Sequence, residues 1–233
     1  MSQIICRDLS LGYNGEAVCK NVNFEIEAGD YLCIVGENGS GKSTLMKALL
    51  GLHSPLGGEI IKGDGTSTGS IGYLPQQSEL QRDFPATVGE VTLSGCIGSL
   101  GKKFFYSKAD RLRAHDAMKQ LGICDLADRP YSSLSGGQQQ RTLLARALCA
   151  TKKIILLDEP VSGLDPAATA DMYETIYLLN KKSHTTVIMV THDISASIRY
   201  ANKILHMGGS PHFFRSVEEY RASSLFPAEG GEA

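Results

Sequence analysis

The stretch Tyr31-Leu32-Cys33-Ile34-Val35-Gly36-Glu37-Asn38-Gly39-Ser40-Gly41-Lys42-Ser43-Thr44 decides the fold. Its first five residues form an unbroken apolar run that stops at a glycine, the pattern of a strand buried on both faces of a parallel sheet. From Gly36 to Ser43 it fits G-x-x-x-x-G-K-[ST]. After it, Leu45, Ala48, Leu49 and Leu52 recur at helical spacing, with Gly51 as terminator. Strand, glycine-rich turn and helix start are the context in which this motif cradles phosphates. Glycines let the backbone close around an anion, successive N–H groups turn inward, and the helix N-terminus adds positive potential. Lys42 supplies a mobile charge for the β- and γ-phosphates of a nucleotide. Ser43 offers a hydroxyl to Mg2+. Gly36, Glu37, Asn38, Gly39, Ser40, Gly41, Lys42, Ser43 and Thr44 are therefore the candidate nucleotide-binding residues.

Upstream, Asn21–Ile26 alternates polar and apolar, as a half-buried strand does. Downstream, Gly58–Lys62 and Ser70–Leu74 read as short strands around a Gly/Ser/Thr turn at Gly63–Gly69. From Gln77 to about Leu148 strand signals are few. Ser107–Leu121 reads as a helix with Ser107 at its N-cap, Asp110 three residues on and Gly122 at its end. A further helix opens near Gln138. After Thr151 the alternation resumes: strand Ile154–Asp158, helix Pro166–Asn180, strand Thr186–Val190, helix Ile194–Tyr200, strand Lys203–Met207. Strands alternating with helices predict an α/β core with a mostly parallel sheet, interrupted by a mainly helical insertion. Pro227–Ala233 is expected to fray.

The bulk numbers agree with one large domain. The chain has 233 residues, 42% hydrophobic, with 21% charged residues and a net charge of -2, which excludes a polybasic nucleic-acid binder or an acidic disordered tail. The N-terminus shows no leader pattern, and no apolar run approaches the ~18 residues of a membrane helix. Six scattered cysteines, without a C-x-x-C pair, read as reduced and buried.

Two more motifs carry chemistry. Ile154-Ile155-Leu156-Leu157-Asp158-Glu159 is a buried strand with two carboxylates at its C-terminal end, the edge at which open parallel sheets bind ligands. Asp158 is expected to hold Mg2+, directly or through water, and Glu159 to polarise the water that attacks the γ-phosphate. Leu134-Ser135-Gly136-Gly137-Gln138 opens a helix with two glycines and so makes a second anion site.

Leu134–Gln138 resembles the signature motif of the ABC (ATP-binding cassette) ATPases, and its place between the phosphate loop and the Asp-Glu strand matches that family. The resemblance runs from about Ile4 to Met207. It implies a P-loop NTPase fold with a small N-terminal antiparallel β subdomain and an inserted helical subdomain that carries the signature. Residues 1–76 and 151–215 would form the core, about 77–150 the helical subdomain, and 216–233 a C-terminal helix and tail. Further residues take roles by the same resemblance. Tyr13 sits like the aromatic that stacks on adenine. Gln76 sits like the glutamine that senses Mg2+ and contacts the transmembrane partner, although Gln77 competes for that alignment. Ser162, Gly163, Leu164 and Asp165 resemble the loop that crosses the dimer interface, and His192 the histidine at the γ-phosphate. Val161 departs from the family's usual threonine.

The resemblance further implies an ATP- and Mg2+-dependent hydrolase. Its working unit is an ATP-bound head-to-tail homodimer in which nucleotide held at Lys42 of one copy is capped by Ser135–Gly137 of the other. The expected partners are transmembrane permease subunits and, indirectly, a solute-binding protein, with no nucleic acid; the expected place is the cytoplasmic face of the membrane, peripherally. Asp83-Phe84-Pro85-Ala86-Thr87-Val88-Gly89-Glu90-Val91 looks like the equivalent stretch of zinc- and manganese-uptake ATPases, which points to divalent-metal import. Another importer or exporter, or a soluble ABC ATPase such as an iron–sulfur assembly factor, stays open at this stage. His53, His115, His184, His206 and His212 have no spacing of metal ligands.

Overall fold

The structure is a computed structural model that describes residues 2–63, 71–76, 85–101, 104–151 and 153–227. Most of the turn expected at Gly63–Gly69, together with Gln77, Asp83, Phe84 and the tail beyond Pro227, lies outside the described residues. The chain divides into two compact units, Met1–Thr66 with Ile188–Ala233, and Ser67–Val187.

In the first unit, strands β1 (Ser2–Tyr13), β2 (Glu16–Glu27) and β4 (Gly57–Lys62) make an antiparallel sheet in the order β2-β1-β4. Burial alternates along β1, but Ile4 and Cys6 are buried on one parity and Leu9 and Leu11 on the other. A strand keeps one face in the core only if its period-2 pattern is unbroken. Here a register shift between Cys6 and Leu9 re-aims the chain, with Asp8 at φ 47. β2 compensates at Asn21, φ 56, after which Val22, Phe24 and Ile26 are buried. The irregularities are tied together: the Asp8 N–H donates to Asn23 Oδ1 at 2.9 Å and Asn23 Nδ2 to Asp8 Oδ1 at 3.1 Å.

The same unit contains β3 (Tyr31–Gly36), which pairs in parallel with β8 (Lys203–Met207), and β9 (His212–Phe214), antiparallel to β8. All five apolar residues Tyr31–Val35 are buried, as their unbroken run requires. Asn202 fixes the register: its Oδ1 accepts from the Tyr31 N–H at 2.7 Å and its Nδ2 donates to Asp30 at 3.0 Å. Helices α1 (Lys42–Leu49), α6 (Ile194–Tyr200) and α7 (Val217–Arg221) complete this unit.

In the second unit, β5 (Ile71–Leu74) and β6 (Ile154–Asp158) run parallel, Ile71 opposite Ile154 and Leu74 opposite Leu157. Four helices accompany them: α2 (Val88–Ser94), α3 (Lys108–Gln120), α4 (Gly136–Ala150) and α5 (Pro166–Ser183). Leu143, Leu144, Ala147 and Leu148 on α4 are buried, each such leucine contributing roughly 1.5–3 kcal/mol, and α4 packs against α2, α3 and β5. Strand β7 (Thr186–Val190) is wholly buried, and the division between the units falls inside it.

Element ends differ from the sequence reading for local reasons. α4 starts at Gly136 rather than near Gln138, because Ser135 serves as its N-cap. α5 runs on to Ser183, carrying Lys181 and Lys182 in its last turn, where cations suit the helix dipole, and stops at His184 with φ 50. Helix α2 and strands β1 and β9 are additions to the elements read from sequence.

Candidate nucleotide-binding and hydrolysis site

The phosphate loop belongs to the first unit. Gly36 ends β3 at φ 140, and a Cβ on it would stand 1.9 Å from the carbonyl oxygen of Met207 on β8. Only glycine lets the strand turn away there. The loop then enters α1 through Gly41, a left-handed N-cap at φ 96 without a side-chain cap, so the orphan N–H groups of the first turn have no capping side chain at Gly41. Lys42 is buried, and its Nζ donates to the carbonyl oxygens of Gly36 and Glu37, each at 2.7 Å. The ammonium is thus held over the loop and not extended to solvent. Ser40 Oγ is buried with no hydrogen-bond partner, a cost of about 1–3 kcal/mol unless an acceptor arrives. A phosphate supplies that acceptor, so the loop fits a nucleotide. Ser43 is exposed, while Thr44 is buried in the first turn.

Tyr13 ends β1 with 45% of its surface exposed. Its ring lies 4.8 Å from that of His53, and His53 Nε2 is 2.8 Å from the Gly12 carbonyl. A hydrogen bond with Thr44, helped by Lys47, holds the Tyr13 phenol below its usual range. Tyr13 is in this way tied to the helix that follows the phosphate loop. His192 also lies in the first unit, exposed just after β7, where the Thr191 N–H donates to the Ile34 carbonyl at 3.3 Å.

The carboxylates belong to the second unit. Asp158 closes β6, and Glu159 follows at φ 48, a left-handed backbone that a glutamate adopts only under constraint. Gln76 Nε2 donates to Glu159 Oε2 at 3.1 Å. The Tyr73 phenol is pushed up to about 12, first by burial and then by the charge of Asp158 and its hydrogen bond to it. Sequence spacing gives no sign of this tyrosine; the parallel register of β5 and β6 does. Beyond Glu159 the loop turns back, with the Ser162 N–H on the Glu159 carbonyl at 3.1 Å and the Leu164 N–H on the Val161 carbonyl at 3.2 Å. Asp165 then caps α5, accepting from the Ala168 N–H at 2.9 Å.

Residues Leu134–Gln138 open α4. Ser135 and Gln138 form a reciprocal capping box: the Ser135 N–H donates to Gln138 Oε1 at 3.1 Å and the Gln138 N–H to Ser135 Oγ at 3.4 Å. Ser135 and Gly136 are exposed, whereas Leu134 is buried and anchors the turn. Leu164 lies 3.2 Å from where a Gly136 Cβ would stand. Within this unit, therefore, the signature turn and the Ser162–Asp165 loop are packed together. As for Mg2+, the second unit offers an amide and a carboxylate (Gln76 and Asp158) and the first a serine hydroxyl (Ser43), each an oxygen donor of the hard kind that ion takes.

The family model described as ABC transporter matches residues 19–162. The chain belongs to the ABC transporter family. It is an ATP-binding subunit of that family, which hydrolyses ATP to power transport. It is 39% identical over 201 residues to the zinc transport system ATP-binding protein TroB of Treponema pallidum, covering 85% of this chain and 75% of that protein. To the manganese transport system ATP-binding protein MntB of Bacillus subtilis it is 37% identical over 201 residues, covering 85% and 80%. Among solved structures, the dimeric post-hydrolysis state of the ATP-binding cassette MJ0796, bound to ADP and Pi, matches with a TM-score of 0.72 and 28% identity, covering 91% of this chain and 99% of that one. Among the described residues of this ABC subunit, no helix is long and apolar enough to cross a membrane.

Proposed function

We propose that this ABC ATPase energises the import of a divalent metal ion, zinc or manganese, from the cytoplasmic face of the membrane. The observation that carries the reading is the similarity, over most of the chain, to ATPases named for zinc and manganese transport. The subunit would dock peripherally on transmembrane permease subunits, which in turn receive metal from a solute-binding protein; it has no role on nucleic acid. In this reading about 77–150 is the helical subdomain, and 1–76 with 151–215 the core.

Each residue has one task. Tyr13 stacks on the base, and Gly36–Thr44 wrap the phosphates. Lys42 places its ammonium at the β- and γ-phosphates. Ser43, Gln76 and Asp158 would hold Mg2+, which supplies charge neutralisation at the phosphate oxygens when bound. Glu159 accepts the proton of the attacking water, and His192 contacts the γ-phosphate. Ser135–Gly137 of a second copy, with Leu134 and Gln138 shaping the turn, cap the nucleotide across a homodimer, and Ser162–Asp165 line that interface. Hydrolysis needs mainly positioning and charge stabilisation, so this kit suffices.

The test is metal accumulation in cells that lack the chain, grown at limiting zinc and manganese and measured by elemental mass spectrometry. One or both metals should fall, and the wild-type chain but not its Glu159→Gln variant should restore them. Unchanged metal content, with loss of another solute's uptake, would assign a different cargo.

A further inference from the structure

We propose that Tyr73 is a positioning residue for hydrolysis: its phenol donates to Asp158 and holds that carboxylate in the orientation metal binding requires. The inference rests on the reading of Asp158 as a Mg2+ ligand given above. It begins with the backbone. β5 and β6 are parallel, with Tyr73 directly opposite Leu156. Side chains alternate along a strand, so Leu156 and Asp158 share a face, and Tyr73 is on that face too. Two residues of rise, ~6.6 Å, separate Tyr73 from the level of Asp158, a gap that a tyrosine side chain spans. The two side chains are hydrogen-bonded.

The strand bearing Tyr73 is held firmly. Ile71 and Leu74 are buried. A Cβ on Gly72 would stand 2.3 Å from the Ala147 carbonyl oxygen and 2.9 Å from Thr151 Cγ2, so β5 lies directly against the C-terminal part of α4. Past the end of β5, Gln76 donates to Glu159 at 3.1 Å. The exit of one strand thus provides a donor to each of the two carboxylates at the exit of its neighbour. A carboxylate already fixed by a half-buried phenol needs no reordering when a cation arrives, which is how outer-sphere partners raise metal affinity. The phenol itself touches neither nucleotide nor metal in this account; it acts through Asp158.

The experiment uses the full chain with a non-hydrolysable ATP analogue and Mn2+ as a paramagnetic probe of the metal site. Tyr73→Phe keeps the ring and removes only the donor. Half-saturating Mn2+ should rise by about tenfold or more, while analogue binding in EDTA stays as in the wild type. In ATPase assays kcat should fall at fixed Mg2+ with KM for ATP unchanged, and excess Mg2+ should restore part of the loss. Asp158→Asn should weaken Mn2+ on its own, and adding Tyr73→Phe to it should weaken Mn2+ no further, because the two changes remove one interaction. If Asp158→Asn weakens Mn2+ but Tyr73→Phe leaves it at the wild-type value, Tyr73 is a packing residue and the inference is wrong. If Asp158→Asn has no effect on Mn2+, the metal reading of Asp158 fails, and the inference fails with it.

Discussion

At Lys42 a single side chain carries most of the loop's charge. Its burial would be prohibitive for an unpaired ammonium, and the carbonyls of Gly36 and Glu37 offset that. The same carbonyls are weak competitors for the ammonium once a phosphate is present, since a charged acceptor makes the stronger bond. Lys42→Ala should therefore raise the Kd for ATP by about 10- to 100-fold, read by calorimetry, with the melting temperature little changed. Equal affinity would mean that Lys42 serves the loop's structure and not its ligand. Residue by residue, the phosphate loop was the most legible part of the chain, because its spacing encodes a backbone shape. The left-handed Glu159 was not legible, since nothing in Leu157-Asp158-Glu159-Pro160 requires a positive φ; only the turn that brings the Ser162 N–H back to the Glu159 carbonyl does. Tyr73 was hidden for a similar reason. Its partner is 85 positions away, and a pairing register, not a motif, joins them.

Caps decide where the helices of the second unit begin, and the cap of α3 could be read from the sequence. α3 starts where Ser107 and Asp110 predict, and the box is complete: the Ser107 N–H and hydroxyl donate to Asp110 Oδ2 at 2.9 and 2.6 Å, and Ser107 Oγ accepts from the Asp110 N–H at 3.2 Å. Ser99 adds a donor to Oδ1 at 2.6 Å. These bonds, Ser107 first and Ser99 next, lower the Asp110 carboxyl from 3.8 to about 2. A carboxyl lowered in the folded chain stabilises it above the unfolded value and loses that contribution as pH falls through the folded one. Stability should thus decline between about pH 4 and pH 2 in part through Asp110. Ser107→Ala should lose about 1 kcal/mol at neutral pH and show a shallower acid decline, both measured by urea melts; an unchanged acid slope would assign that slope to other groups. α2 shows what was missed. Thr87 and Glu90 form an equally complete box, and T-x-x-E stands in the sequence. The helix that follows has only seven residues, too few for a period of 3.6 to stand out. β9, with three residues, gives no periodic signal at all.

Over the whole molecule, the alternation of strands and helices after Thr151 gave β6, β7, α6 and β8 to the residue, because buried strands there are short apolar runs with sharp ends. A single copy nevertheless presents its signature turn outward, with Ser135 and Gly136 exposed at the start of α4. A helix N-terminus in that position attracts an anion, and the anion a second copy can offer is the triphosphate in its phosphate loop. The γ-phosphate would then hold the two copies together, and its removal would release them. Blocking only the proton transfer should separate these events. Glu159→Gln keeps the size and the hydrogen bonding of the side chain, including an oxygen for Gln76 Nε2, but removes its basicity. It should bind ATP as the wild type does, hydrolyse it at least about a hundredfold more slowly, the scale on which a positioned general base acts, and elute with ATP and Mg2+ at twice the monomer mass. Ser135→Arg in the same background, placing bulk and a side chain at the exposed turn, should bind ATP and remain monomeric. Should Glu159→Gln turn over ATP at the normal rate, Glu159 is not the base; should it stay monomeric while saturated with ATP, the signature turn does not act across two copies.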